Sequence, residues 1–181
     1  MNRFGLCGLV PVLAVAAWAA DDQFGFMPDG GRTLLAGLIA ELDAEARQAV
    51  LGRKAQAADW ADWARAQDPE IDEVATRTLA GYAALNLPLE EALLAEGIGE
   101  DLTAALPPDG KDLAIAQCQF CHSLFSGYLM HDRDQTGWKG TFKAPFHTEI
   151  PMTEIERDTF ASYSALNMPV KFEDVPPEWR F

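Results

Sequence analysis

Two segments of this chain, 81 residues apart, end in nearly the same nine residues. Residues 80–88 read AGYAALNLP, and residues 161–169 read ASYSALNMP. A shorter match, Pro28-Asp29-Gly30, recurs as Pro108-Asp109-Gly110 at an offset of 80. Two unrelated helices with similar ends would explain only part of this pattern, whereas gene duplication explains both matches. The repeat predicts two related units, each ending in a helix that carries the shared sequence.

The hydrophobic pattern predicts an all-α fold. Apolar residues recur every three or four positions through residues 32–53 and again through 153–166, which is the period of a helix. Asp68-Pro69-Glu70 resembles a helix start, with an N-cap and a proline in the first turn. Residues 97–108, with two glycines and a Pro107-Pro108 pair, are typical of a linker. We therefore expect a first helical domain at 21–105 and a second at 106–181.

Residues 118–122, with the sequence CQFCH, form a CxxCH motif, the attachment sequence of haem c. On one turn of a helix Cys118 and Cys121 face the same side, so each thiol can form a thioether with one haem vinyl group. His122 can then bind the iron as the proximal ligand. We expect a helix over 112–125 to carry the motif and one covalent haem c to be the cofactor.

Other interpretations of the two cysteines fit less well. A thioredoxin-like redox pair needs a surrounding βαβ pattern, which the sequence lacks. A zinc site needs a second pair of ligands, and the only other cysteine is Cys7, near the N-terminus. A structural disulfide between Cys118 and Cys121 would leave His122 without a role.

The first unit lacks this motif. An offset of 80 places residues 38–42, with the sequence LIAEL, opposite residues 118–122, and they contain no cysteine or histidine. The first unit is therefore predicted to be a haemless copy, and its pocket must be filled by side chains because an empty apolar cavity is destabilising. The candidates to fill it are Leu34, Leu38, Leu42, Trp60, Trp63 and Ile71.

Residues 1–20 are predicted to be a signal peptide. Arg3 precedes an apolar run over residues 4–16, which is short for a membrane span, and Ala17-Trp18-Ala19 fits the cleavage rule. An uncleaved N-terminal anchor is the alternative. No later run approaches the length of a membrane span, so we expect a periplasmic mature chain without one.

The formal charge of −14 argues against nucleic acid and anionic membrane surfaces as partners. It favours protein redox partners with a basic docking surface, although such a charge also serves plain solubility. Paired acidic residues such as Glu90-Glu91 are more typical of solvated helix faces than of catalytic pairs. The chain lacks the phosphate-binding and hydrolase motifs GxxxxGK[ST], HExxH and GxSxG.

Residues 109–169 resemble the class I cytochrome c family. The resemblance rests on the CxxCH helix, a long loop after it, and a last helix with Phe160 and Tyr163 that could pack on the first. It implies an all-α haem domain that transfers electrons and does no substrate chemistry. The family usually takes its sixth iron ligand from a methionine before the last helix, which implies Met152; the counterpart of Met152 in the first unit is Ile71. The other candidates for this position are His147, Met130, His131 and Met168, or an unligated site.

A finer resemblance links Cys121-His122-Ser123-Leu124, Met130, Arg133 and Gly137-Trp138 to the small haem subunits of periplasmic sulfite dehydrogenases. Those subunits have a single domain, whereas this chain has an extra half. The resemblance implies an electron-transfer subunit or partner of a dehydrogenase, or of a respiratory or photosynthetic complex. A haem-based sensor of small ligands and a structural subunit of a larger complex are the alternatives.

Overall fold

The computed structural model describes residues 23–91, 94 and 102–181, and these residues form helices, turns and loops without a β-strand. In the first half the helices are α1 (Gly31–Ala40), α2 (Ala44–Leu51), α3 (Ala57–Gln67) and α4 (Glu73–Asn86). A short helix, α5 (Leu102–Ala105), precedes the second half. The prediction of an all-α fold is confirmed for the described residues.

The second half contains three α-helices and three shorter turns of helix. The α-helices are α6 (Gly110–Gln117), α7 (Gln135–Thr141) and α8 (Glu154–Asn167). A π-helix, Phe125–Leu129, follows the CxxCH motif, and two 3₁₀ turns, Phe172–Asp174 and Pro177–Trp179, end the chain.

The helices of each half pack in the same order. Helices α1 and α3 pack on α4, helices α6 and α7 pack on α8, and α4 packs against α8 between the halves. Both α4 and α8 have 14 residues, and both end before a cis X-Pro bond, Leu87-Pro88 and Met168-Pro169. The long helix of each half is therefore the element on which the other helices lie.

A glycine allows the first helix of each half to approach the long one. A Cβ atom on Gly31 would overlap the Cβ of Tyr82, and one on Gly110 would overlap the Cβ of Tyr163. Any larger residue would hold the two helix axes apart, since a side chain needs the space that the tyrosine occupies. This contact confirms the expectation that Tyr163 packs on the first helix of its half.

Reciprocal hydrogen bonds join the two long helices. Asn86 Nδ2 donates to Thr159 Oγ1 at 3.0 Å, and Asn167 Nδ2 donates to Thr78 Oγ1 at 3.0 Å. The tyrosines make a second reciprocal pair with the opposite chain segments, since Tyr82 Oη donates to Pro107 O and Tyr163 Oη donates to Pro28 O. Buried polar groups on both sides of the contact are thereby satisfied.

Each half has its own hydrophobic core, and each core includes residues from outside the sequence range of that half. Phe24 and Met27, before α1, pack into the core of the second half. Leu106, beyond the predicted boundary at residue 105, packs into the core of the first. The predicted boundary at residue 105 therefore separates the helices but not the packing.

The structure corrects two predicted helices. The pattern over 32–53 is interrupted, because Asp43 accepts a hydrogen bond from Ala46 N and starts a new helix there. The long helix of the first half is capped by Asp72, which accepts from Val74 N and Ala75 N, and not by Asp68. Asp68 instead accepts from Glu70 N, in a local turn that competes with helix.

The structure also corrects the offset of 80. Gly31 and Gly110 start the first helix of each half and contact equivalent tyrosines, so these positions correspond at an offset of 79. The two Pro-Asp-Gly sequences therefore do not occupy equivalent positions in the structure, and they differ by one residue from the structural alignment. The offset of 81 holds for the long helices, which begin at Glu73 and Glu154.

The predicted signal peptide, 1–20, and residues 97–101 of the predicted linker lie outside the described residues, whereas Leu102–Ala105 of that linker form α5. Within the part of the chain that is described, no helix has both the length and the apolar character needed to cross a membrane.

Candidate functional site

The CxxCH motif follows a helix instead of lying within one. Helix α6 ends at Gln117, and Cys118 is its C-cap, whose backbone N–H donates to Ala114 O. Gln119 Nε2 donates to Ile115 O at 2.6 Å, so a side chain occupies the acceptor that the backbone N–H of Gln119 would use in a continuing helix. The predicted helix over 112–125 was therefore too long, and residues 119–122 form a turn.

The turn brings both thiols and His122 to the wall of one cavity. Cys118, Cys121 and His122 line it from one direction, and His147 and Met152 line it as well. The cavity volume is about 60 Å³, and the cavity is partly open to solvent. The rest of the wall is mainly apolar and aromatic: Gln117, Gly127, Tyr128, Trp138, Thr141, Phe142, Phe146, Ile150 and Phe160.

The two cysteines are free thiols in different surroundings. Cys118 is half-buried and packs against the core of the second half, whereas Cys121 is exposed. Burial raises the pKa of the Cys118 thiol to about 12, because the thiolate would lose hydration. The Cys118 thiol is therefore neutral at physiological pH, as expected of a packed cysteine.

The orientation of His122 is fixed through Nδ1. This nitrogen lies 3.2 Å from Ser123 O, a carbonyl oxygen that can only accept a hydrogen bond. In the neutral ring Nδ1 must therefore carry the proton, and Nε2 keeps its lone pair. The ring lies against Gly127, where a Cβ atom would overlap it. The Ser123 hydroxyl donates to Phe181 O at the end of the chain.

His147 has the same arrangement on a different element. Its Nδ1 lies 3.2 Å from Thr141 O, the last residue of α7, so its Nε2 also keeps a lone pair. The ring centroids of His122 and His147 are 6.3 Å apart, with an interplanar angle of 72°. Two imidazoles with free Nε2 atoms thus line the same cavity.

Met152 lies beside these groups, immediately before the N-cap of α8. Its side chain is 7% exposed and belongs to the core of the second half. The structure therefore brings together Cys118, Cys121, His122, His147 and Met152. Three other predicted candidates do not line this cavity: Met130 is partly exposed, Met168 is a core residue, and His131 packs beside Trp138.

An aromatic cluster forms the floor of the cavity. Phe160 from α8 contacts Tyr128, Trp138 and Phe142, with ring centroids 5.5 to 5.8 Å apart. Tyr128 Oη is hydrogen-bonded to Ser164 Oγ at 2.8 Å, which satisfies the buried hydroxyl. Desolvation raises the pKa of Tyr128 far above its ordinary value, so this residue stays neutral. The aromatic floor itself carries no charge.

Sequence reasoning missed several residues of the wall. Trp138 is the fourth residue of α7, as the fully buried Trp60 is of α3, and this shared indole was a signal that Trp138 belongs to the wall. The carbonyl oxygens of Ser123 and Thr141, which orient the two histidines, are backbone atoms and leave no signal in the residue types.

No protein-family model, curated protein or solved structure matches the chain. Among the residues that the structure describes, no group of three or more His, Cys, Asp and Glu side chains is arranged to hold a metal ion. The donor set of the cavity is instead two thiols, two imidazoles and one thioether on apolar walls. This set fits a covalently attached iron porphyrin, which brings its own four equatorial nitrogens.

Proposed function

We propose that this chain is a periplasmic c-type cytochrome with one covalent haem, which transfers electrons as a subunit or partner of a dehydrogenase or of a respiratory or photosynthetic complex. One observation carries the proposal: Cys118, Cys121 and His122, the three chemical groups of the CxxCH motif, line one apolar cavity. When bound, haem c supplies a one-electron Fe(III)/Fe(II) couple.

The residues of the chain have separate tasks in this proposal. Cys118 and Cys121 hold the porphyrin through thioethers, and His122 supplies the proximal nitrogen, Nε2. Its Nδ1–H hydrogen bond to Ser123 O keeps the ring in the required tautomer. Tyr128, Trp138, Phe142 and Phe160 exclude water, and low polarity around a haem is one of the means by which a protein sets its potential.

The mouth of the cavity provides a path for electrons to a partner. Cys121 is exposed, and the flanking rings of Phe120 and Phe146 are 79% and 92% exposed. Electron transfer needs close approach of the two redox groups, which an exposed rim of this kind permits. The formal charge of −14 favours a partner with a basic surface.

The first half serves as a haemless copy in this proposal. Gene duplication accounts for the equal length of α4 and α8 and for the reciprocal contacts between them. Without thiols or histidines opposite the motif, this half would act as a docking or packing module for the cytochrome.

The test is expression of the full chain in a host with a cytochrome c maturation system. We expect the intact mass of the mature chain to exceed that of the polypeptide by one haem, and a pyridine haemochrome spectrum of the c type. Cys118→Ser/Cys121→Ser should abolish the covalent haem and leave the helical far-UV spectrum. A wild-type chain without covalent haem, or with two haems, would contradict the proposal.

A further inference from the structure

The cavity contains two imidazoles where the proximal ligand accounts for only one. His122 comes from the motif, whereas His147 lies in the loop between α7 and α8. Both rings line the same cavity, and each has its Nδ1 at 3.2 Å from a backbone carbonyl oxygen. Metal-binding histidines commonly have this second hydrogen bond, because it orients the ring and makes the free nitrogen more basic.

The spacing of the rings is compatible with two ligands on opposite sides of one metal. A metal–imidazole bond is about 2.0 Å long and the ring centroid lies about 1.2 Å behind the nitrogen, so two opposed rings have centroids roughly 6 to 6.5 Å apart. The centroids of His122 and His147 are 6.3 Å apart. Packed rings without a metal between them also have centroids about 4.5 to 7 Å apart, so the spacing permits the ligand pair and does not by itself require it.

Met152 has a sufficient role in packing. It is 7% exposed and belongs to the core of the second half together with Phe160. At an offset of 81 it corresponds to Ile71, an apolar residue that packs against the core of the first half. Packing alone therefore suffices to explain the burial of Met152.

Resting on the proposed function, we infer that the sixth iron ligand is His147 Nε2 and that Met152 is a packing residue. This replaces the ligand that the family resemblance implies with a second imidazole. Since methionine as the second axial ligand raises the potential of a His-ligated haem, the proposed pair lowers it. The chain would then accept electrons only from a donor of lower potential than a His/Met cytochrome requires.

The experiment uses the full haem-loaded protein and begins with its mass and pyridine haemochrome spectrum. A chain without covalent haem overturns the proposed function; a chain with haem tests the ligand alone. We expect the ferric protein to have the electron paramagnetic resonance signal of a low-spin bis-imidazole haem and to lack the weak far-red absorbance band of Met–iron ligation. The ferrous protein should not bind CO rapidly.

Two variants and one control distinguish the ligands. His147→Ala should convert the ferric haem to high spin and allow CO to bind, and His147→Met should raise the potential. Met152→Leu, which keeps the apolar volume, should leave the spectra and the potential unchanged. A far-red band in the wild type that is lost in Met152→Leu and kept in His147→Ala would overturn the inference, as would rapid CO binding by the wild type.

Discussion

Besides the CxxCH motif, the two halves differ at one position in the helix that precedes the long helix of each. Helix α3 has Trp60 and Trp63 at its fourth and seventh residues, and α7 has Trp138 and Thr141 at the same places. In the first half the Trp63 ring packs edge-on against Trp60 at 5.6 Å. In the second half Thr141 lines the cavity that also contains the thiols and histidines. The indole of Trp63 thus has no counterpart at the place where the second half has a cavity.

The surroundings of this position are alike in the two halves. Trp60 and Trp138 are both buried, and a guanidinium lies over each ring, with Arg53 at 5.0 Å and Arg133 at 5.3 Å. The segment after each long helix is held in the same way, since Leu89 N donates to Leu51 O and Val170 N donates to Leu129 O. The helical framework can therefore be kept while the contents of the pocket change.

Thr141→Trp should have the largest effect, because it places the indole of the first half into the cavity of the second. We expect most covalent haem to be lost, because the indole would occupy space that the porphyrin needs and overpacking costs about 1–3 kcal/mol or more. The measurement is the ratio of haem to protein after expression with the maturation system. Thr141→Ser, which keeps the hydroxyl that accepts from Arg133 Nη1, is the control and should keep its haem.

The reciprocal change provides a second control. Trp63→Thr should lower the free energy of unfolding by about 3 kcal/mol, at the low end for a tryptophan because its ring is half-buried. It should not add a second haem. If Thr141→Trp retained full haem occupancy, the indole would not be what separates the halves.

Gly31→Ala and Gly110→Ala should each lower the free energy of unfolding by about 2 kcal/mol, through overlap with Tyr82 or Tyr163. Gly37→Ala and Gly140→Ala are matched controls, because a Cβ there meets no atom within 4 Å. These controls should stabilise by about 0.5–1 kcal/mol. Urea unfolding followed by circular dichroism measures all four. If only one of the two variants lost stability, the glycine–tyrosine contacts of the two halves would not be equivalent.

Asn167→Ala should cost about 1–3 kcal/mol of unfolding free energy, and Asn86→Ala somewhat less, because Asn167 is the more buried of the two. Each loses a hydrogen bond to a threonine of the other half. Double-mutant cycles with Thr78→Val and Thr159→Val measure the coupling directly. Coupling near zero in both cycles would mean that these bonds do not join the halves energetically.

The smallest expected effect is on pH dependence, at a position where the halves differ. Burial, with the nearby Asp112 carboxylate, raises the pKa of Asp109 to about 6 from its ordinary 3.8, and the equivalent Gly30 cannot titrate. The folded state therefore binds this proton more tightly than the unfolded state, so the contribution to stability is full below about pH 4 and is lost as the pH rises through about 6. Asp109→Asn should flatten that part of the profile, measured by urea unfolding; an unchanged slope would contradict the assignment.

The sequence predicted the helical class and the ends of the long helices, because periodicity and the repeated Asn-Leu/Met-Pro ending are strong local signals. It predicted the candidates to fill the first half, and all of them pack in or against that core: Leu34, Leu38, Leu42, Trp60, Trp63 and Ile71. It missed the helix end at Gln117, since the Gln119 side chain can serve either a helix or a turn. It named His147 among the candidates for the sixth ligand, but it gave no sign of the backbone carbonyls that orient the two histidine rings.

The carboxylate of Asp109 serves two helix starts at once. It accepts from Lys111 N and Asp112 N at the start of α6 and from Arg32 N at the start of α1. Gly30, the counterpart of Asp109, leaves the space for it, because a Cβ there would overlap the carboxylate. In a dimer of two identical halves, the positions of Gly30 and Asp109 would carry the same residue. Such a dimer would bring two carboxylates together or have none. A shared anionic cap of this kind is open only to a molecule whose halves can differ, and it makes separation of the halves into free-standing domains costly.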